Sequence, residues 1–443
     1  MFSASNAPIQ IRCIRRLSSW LKDVSLPLPL ETLALNKTDS PDMNIILFDT
    51  DARNHLLPLT ATRPMGELRL GILTLREKWE HRLHSKASYI TQEYLQEKYP
   101  IQIEEENLII NGGVMPTVAL CKRIEELGLN EALLANGELI AARLNEAQFE
   151  SLIGEEEVEE LQGLELEANI PLIQVTNLWQ LVRLNEQALL DDFELLTKGK
   201  TSKPVSDTNS IIGPLENLFL EEGVKMEYCT LNLSIGPIYI GANTVIMERG
   251  MMRGPIAIGS DSILKMGVKI YGPSTFGPGC RVGGEVARSI FFANSNKAHD
   301  GYLGDSVLGE WCNLGADTNN SNLKNNYSEV KLWDYETERF EKTGQQFVGL
   351  IMGDHSKCAI NTMFNTGTVV GAFANIYGAG FPRNFVPDFS WGGPDGYRTY
   401  KFIEACETAA IVMARRGQEF NELEKAILYH IYDRTAKFRG WEK

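Results

Sequence analysis

Between Ser295 and Asn322 the chain reads SNKAHDGYLGDSVLGEWCNLGADTNNSN, the segment richest in reactive and ligand-binding side chains. An imidazole such as that of His299 titrates near neutrality and serves as a general base. Tyr302, Asn313 and Asn322 offer neutral donors and acceptors, and Lys297 and the upstream Arg288 offer charge for an anionic ligand. Together these types mark a candidate catalytic segment with His299 at its centre. A plainer reading stands beside it. Asn and Asp next to glycine make turns, and His299 also reads as a surface loop histidine bonded to a neighbour.

The pattern around this segment shows what positions it. Apolar residues recur every six positions at Ile240, Ile246, Met252, Ile258, Leu264, Ile270, Phe276 and Val282, and glycine follows four of them, at 241, 259, 277 and 283. The spacing returns at Met352, Cys358, Phe364, Val370 and Ile376, with Gly353 and Gly371 eighteen apart. Period six fits neither an amphipathic helix nor an alternating strand. It fits short strands joined by tight turns, one side chain pointing inward per unit and three units per coil, which is a hexapeptide β-helix. The expected solenoid covers 221–385. Two insertions are expected, at about 284–302 and at 319–347, the latter with a charged hairpin. Leu308-Gly309 and Leu314-Gly315 pin the reactive segment to the solenoid wall.

The rest of the chain sets bounds. Its 443 residues exceed one ordinary core, so two or three domains are expected. A net charge of −15 argues against nucleic-acid or acidic-membrane partners. Seven scattered cysteines without a CxxC pair read as reduced thiols of a cytoplasmic protein, and no apolar run is long enough to span a membrane. Residues 1–42 read as a disordered extension, or as lying upstream of the true start. From Met43 to about 200, strands expected at Ile45–Phe48, Ala87–Ile90 and Leu108–Asn111 alternate with helices at Leu73–Leu83, Thr117–Leu127 and Leu178–Leu196, the pattern of an α/β domain with a mostly parallel sheet. The acidic run 154–168 reads as a solvated helix face. Residues 201–220 read as a linker. Residues 386–443 read as a connector and two helices, about 399–416 and 419–437, with Arg415 and Arg416 as a helix C-terminal feature.

The motif His299-Asp300-Gly301-Tyr302-Leu303-Gly304-Asp305, followed by Asn313-Leu314-Gly315-Ala316-Asp317-Thr318, resembles the acetyltransferase half of the bacterial bifunctional UDP-N-acetylglucosamine pyrophosphorylase / glucosamine-1-phosphate N-acetyltransferase family. The resemblance implies a left-handed parallel β-helix, acetyl-CoA as co-substrate, and His299 as general base. It implies sugar-phosphate contacts from Tyr302 and Asn313, and acetyl-CoA contacts from Ala316 and Asn322. Lys297 and Arg288 are the neighbouring cations for the sugar phosphate. The N-terminal part resembles the family's Rossmann-like nucleotidyltransferase domain less closely. Its loop Leu57-Pro58-Leu59-Thr60-Ala61-Thr62-Arg63-Pro64 lacks the family's glycines, and Ile109-Ile110-Asn111-Gly112-Gly113 lacks the metal-binding Asp. Val175-Thr176-Asn177-Leu178-Trp179-Gln180-Leu181 matches a later signature in part. The resemblance then implies Arg63, Lys78, Asn111 and Gly112 at a UTP site. With the family's Asp missing, two outcomes stay open: Mg²⁺ is held by another group, for which Asp49 and Asp51 at the end of the first strand and Asn177 are the candidates, or the domain binds nucleotide without turning it over. The chain as a whole looks like a divergent form of that enzyme. Two other readings stay open: a nucleotidyltransferase of other sugar specificity with an acyltransferase-like solenoid, and a non-catalytic trimeric scaffold. The β-helix carbonic anhydrases, which resemble this solenoid too, need three His ligands, and only His299 and His355 lie in the solenoid.

A prism-shaped solenoid has flat faces, and the resemblance implies three packed together with acetyl-CoA between neighbours. Light scattering at micromolar concentration is expected to give a homotrimer; a monodisperse monomer would contradict this.

Overall fold

The computed structural model describes residues 43–153 and 161–442. The expectation for residues 1–42, and that for 154–160, lie outside the described residues. Two compact units emerge. One holds 63–67 and 75–175 with the strand that begins at 44; the other holds 53–62, 68–74 and everything from 176 onward. The grouping does not follow chain order: two short segments and the helix Leu178–Thr197 belong with the solenoid.

The first unit centres on Asn44–Phe48, buried along its whole length. A continuous apolar run buried on both faces is what a central parallel strand requires. It pairs in parallel with Ala87–Ile90 and Glu106–Asn111. The sheet is mixed rather than mostly parallel. Glu138–Asn145 runs antiparallel to Glu106–Asn111 and forms a hairpin with Glu131–Ala135. Its turn is Asn136-Gly137, both at positive φ, the pair that suits a two-residue hairpin. Gln162–Glu165 adds a parallel edge strand, where a helix face was expected. Its helices include Leu75–Leu83, Glu146–Ile153 and Val118–Glu125, the last capped by Thr117, whose hydroxyl accepts from Leu120 N–H.

The second unit is a parallel β-solenoid whose three faces carry nine-, ten- and six-stranded ladders. The ladders begin at Ser210–Ile212 and Leu218–Leu220, inside the expected linker, and reach Ser390–Gly393. Their inward side chains form stacked columns. Ile240, Ile258 and Phe276 succeed one another at steps of eighteen on one face, and Ile246, Leu264 and Val282 on the next. The step then changes. Phe276 pairs with Phe291, fifteen residues on, and Phe291 with Leu308, seventeen on. Residues 284–302 therefore lie within two shortened coils that run from Phe276 to Leu308, not in an insertion. The true insertion separates Leu308 from its partner Met352 by forty-four residues. It contains the expected hairpin, Lys331–Asp334 against Arg339–Lys342. Trp333 stacks on Phe385 at 4.2 Å and the Tyr335 hydroxyl reaches Asp388 at 2.8 Å, seating the hairpin on the last coil.

At one corner each coil turns through a residue at positive φ. Trp311, His355, Phe373 and Phe389 occupy successive positions there, with rings 5.9, 4.5 and 5.3 Å apart. His355 is thus a member of an aromatic stack. Among the described residues no three His, Cys, Asp or Glu side chains gather as a metal cluster. The C-terminal helices run Phe402–Ala414 and Glu422–Arg434. Arg416, expected only to end a helix, donates to the Gly279 carbonyl at 2.9 Å and to Asn296 Oδ1 at 3.1 Å, tying the tail to the solenoid wall.

Phe276 is 1% exposed and meets Phe291 edge-on at 5.1 Å. Phe276→Ala is expected to cost about 3–5 kcal/mol in denaturant unfolding; a loss near zero would mean that the column does not hold the coils together.

Candidate functional site

His299 lies on a bend between Asn296–Lys297 on the second face and Tyr302–Gly304 on the third. The ladder places Asn296 beside Asn313, seventeen residues on. The same step carries His299 to Ala316 and Asp300 to Asp317, and the Asp317 N–H donates to the Asp300 carbonyl at 3.0 Å. His299 and Ala316 are therefore stacked one coil apart at a single corner. The His299 side chain is exposed, and among the described residues none hydrogen-bonds its imidazole or accepts from the Ala316 N–H. A base and a backbone donor on adjacent coils is an arrangement that addresses two atoms of one reacting carbonyl and its nucleophile.

Tyr302, Asn322 and Arg288 come together on the third face through a residue that sequence reasoning gave no role. Asp305 accepts a two-pronged ion pair from Arg288, with Nε at 2.8 Å and a terminal nitrogen at 2.7 Å. It also accepts from Asn322 Nδ2 at 2.6 Å. That amide nitrogen donates in turn to the Tyr302 hydroxyl at 3.0 Å. Because the hydroxyl oxygen is the acceptor here, its proton is left for an outside partner. Burial, helped by the Asp305 charge, raises the Tyr302 pKa, so the phenol stays a donor. The Arg288 pKa is raised by the Asp305 bond. The signal for Asp305 was in the motif itself, as the acid three residues after Tyr302.

Asn313 faces outward on the second face, exposed, with Asn296 Nδ2 at 3.4 Å from its Oδ1. Lys297, expected beside a phosphate, is not on the surface. It occupies the inward column after Val282, is 1% exposed, and gives its ammonium to the carbonyls of His299 at 2.7 Å and Gly283 at 3.2 Å. Both of those contacts are made inside the coil, which leaves the sugar-phosphate role to other groups. Burial pushes its pKa down from 10.5 to about 8, against the pull of Asp300, Cys358 and Asp317.

In the first unit the carboxyl ends of the central strands bring Asp49, Asp51, Asn111 and Gly112 to one sheet edge, the usual ligand side of an α/β sheet. Gly112 N–H donates to the Phe48 carbonyl at 2.8 Å, and a Cβ there would stand 3.2 Å from that oxygen. Asn111 is fully buried, with Oδ1 accepting from Gly113 N–H. Asp49 is occupied structurally: one oxygen accepts from Met65 N–H at 2.7 Å, the other from the Thr91 hydroxyl at 2.6 Å. Asp51 is exposed. Arg63 and Lys78, 6% and 2% exposed, are buried rather than displayed. Asn177 falls in the other unit, as the cap of Leu178–Thr197, where Gln180 Oε1 accepts its N–H. The positive end of a helix is a poor place for a cation. Of the metal candidates, only Asp51 presents an uncommitted carboxylate. That fits Mg²⁺ carried on a substrate's phosphates with one protein acid, a common mode for this ion.

An α/β domain followed by a parallel solenoid with a histidine corner defines a two-part architecture, and known proteins share its pieces. Residues 45–201 match the sequence model of a sugar nucleotidyl transferase family. The chain is 38% identical over 88 residues to the bifunctional protein GlmU of Methanocaldococcus jannaschii, covering 20% of this chain and 21% of that one. It is 36% identical over 93 residues to the bifunctional sugar-1-phosphate nucleotidylyltransferase/acetyltransferase of Sulfurisphaera tokodaii, covering 21% and 23%. Over 165 residues it is 28% identical to the bifunctional protein GlmU of Synechococcus elongatus, covering 35% and 32%. The chain thus spans about a fifth to a third of the length of these relatives. The solved LpxA, a UDP-N-acetylglucosamine acyltransferase from Bacteroides fragilis, overlaps 50% of this chain and 81% of its own at 14% identity, with a TM-score of 0.19 that carries no weight in the argument.

The buried Lys297 gives a pH prediction. Its folded pKa lies below its unfolded one, so the unfolded chain binds more protons between pH 8 and 10.5, and stability rises with pH across that window. The cost is fully present below pH 8. Compared with Lys297→Met, the wild type is expected to gain stability from pH 7 to pH 10 in denaturant midpoints. A difference that does not change with pH would place the ammonium in water.

Proposed function

We propose that the chain is a bifunctional transferase of sugar-nucleotide synthesis. Its solenoid moves an acetyl group from acetyl-CoA to glucosamine-1-phosphate, and its α/β part moves a uridylyl group from UTP to N-acetylglucosamine-1-phosphate. The observation that carries the first activity is the stacking of His299 and Ala316 at one corner, beside the Arg288–Asp305–Asn322–Tyr302 network.

The chemistry follows from that placement. The sugar amine attacks the thioester carbonyl while His299 takes its proton. The C–N bond forms, and the carbonyl oxygen, now negative, receives the Ala316 N–H. The tetrahedral intermediate collapses with cleavage of the C–S bond, and the thiolate leaves with the proton from the imidazolium. Tyr302, with Asn313 across the corner, orients the acceptor, and the Asp305 network fixes the tyrosine. Asn322 acts through this network as well as toward acetyl-CoA.

For the nucleotidyl half, Asn111 and Gly112 stand at the carboxyl end of a central strand, where a phosphate or sugar would meet the sheet. Mg²⁺ held by Asp51 and the nucleotide would offset charge at the α-phosphate. The reading is completed by small-molecule substrates, a cytoplasmic location and a homotrimer. Six described cysteines, all free thiols, fit a reducing compartment.

The deciding assay is thiol release from acetyl-CoA with glucosamine-1-phosphate, run against other amino sugars. His299→Ala is expected to lower turnover by about 10²–10⁴-fold with an unchanged melting curve; unchanged turnover would remove His299 from the mechanism. Pyrophosphate release from UTP and N-acetylglucosamine-1-phosphate tests the other half. Asp51→Asn is expected to raise the Mg²⁺ concentration needed for half-maximal release, and indifference to Asp51 would defeat the metal assignment.

A further inference from the structure

Inward side chains stack in columns along the solenoid, and a charged one stands in the column of Leu264 and Val282. Lys297 stands where Val282 stands one coil earlier. An apolar side chain suits that position better than an ammonium, which is costly to remove from water. The ammonium is nevertheless placed so that it takes two carbonyls, those of Gly283 and His299. Among the described residues no backbone N–H is given to either oxygen. The corner also rests tightly on the coil below. A Cβ on Gly283 would stand 2.5 Å from the Ala298 carbonyl oxygen, and one on Gly284, at φ +72°, would stand 2.8 Å from that of His299. From the coil above, Asp317 N–H holds the Asp300 carbonyl. The backbone carrying the imidazole is thus fixed from below, from above and from within, and only the inner tie comes from a side chain.

Resting on the acetyl-transfer reading, we propose that Lys297 is a positioning residue: by holding the His299 carbonyl from inside the solenoid, its ammonium fixes the corner from which the imidazole works. It touches no substrate. Burial works against the charge on Lys297, and Asp300 and Asp317 on the two stacked corners, with Cys358 in the neighbouring core, pull the other way, toward the protonated form that donates to both carbonyls. A methionine in its place fills similar volume and gives up the tie without adding a buried charge.

The test uses the full chain, with Lys297→Met beside wild type, His299→Ala, and Leu264→Ala as a control in the same inward column. Lys297→Met is expected to fold at least as stably as wild type at pH 7 and to lower kcat for acetyl transfer by about 10- to 100-fold, with KM for acetyl-CoA and for the sugar phosphate little changed. Leu264→Ala is expected to lose stability and keep kcat. A second readout needs no activity. The His299 ring resonance, assigned by its loss in His299→Ala, is expected to shift in Lys297→Met and to stay put in Leu264→Ala. Wild-type kcat in Lys297→Met, or an unmoved His299 resonance, overturns the proposal. A wild type that transfers no acetyl group to any amino sugar phosphate defeats the functional reading instead, and the resonance then decides the positional claim by itself.

Discussion

Each coil of the solenoid must turn one side chain per face into a core about one side chain wide, and the rest of the second unit depends on that constraint. Apolar side chains stacked in register let short strands, many only two or three residues long, persist in ladders of nine and ten. Burial of these columns supplies what such strands cannot gain from their own length. The constraint also makes any polar inward residue informative. Ser274 and Thr368 stand in register with the core residues Ile256 and Leu350, and Lys297 and Asn320 are larger polar side chains in the other columns. Asn320 satisfies itself on Gly304, accepting its N–H at 2.8 Å and donating to its carbonyl at 3.0 Å. Lys297 and Asn320 both fall in the coils that carry His299, Tyr302 and Asn322.

The same constraint explains what could be read from the sequence. Where the step between coils is eighteen, from Ile238 to Val282, the period-six pattern is unbroken and the fold is legible. Where coils run to fifteen, seventeen or twenty residues the inward frame shifts, so Ser210–Leu220 looked like a linker and 284–302 like an insertion. Nothing in the local composition marks such a slip, because turns absorb it. In the first unit the buried run at Asn44–Phe48 was plain, whereas the hairpin around Asn136-Gly137 was missed although its turn pair is a strong signal.

The site divides in a similar way. The candidates His299, Tyr302, Asn313 and Ala316 can be named from the sequence because their spacing is local. What joins them is not. Stacking of His299 on Ala316 depends on a seventeen-residue coil, and Asp305 gathers Arg288 and Asn322 across steps of the same length in opposite directions. Burial was the other hidden quantity. A lysine in sequence reads as surface charge, yet Lys297 and Lys78 are inside, and an aspartate such as Asp49 reads as a metal ligand until its oxygens are seen to hold Met65 and Thr91.

The central claim is that the corner shared by His299 and Ala316 is where an acetyl group meets a sugar amine. Its most direct test is a crystal structure of the protein with coenzyme A and glucosamine-1-phosphate. The account predicts the sugar nitrogen within hydrogen-bond reach of the His299 imidazole, the coenzyme thiol beside the Ala316 N–H, and the Tyr302 hydroxyl on the sugar phosphate. Either ligand bound away from that corner, with His299 facing solvent alone, would contradict it.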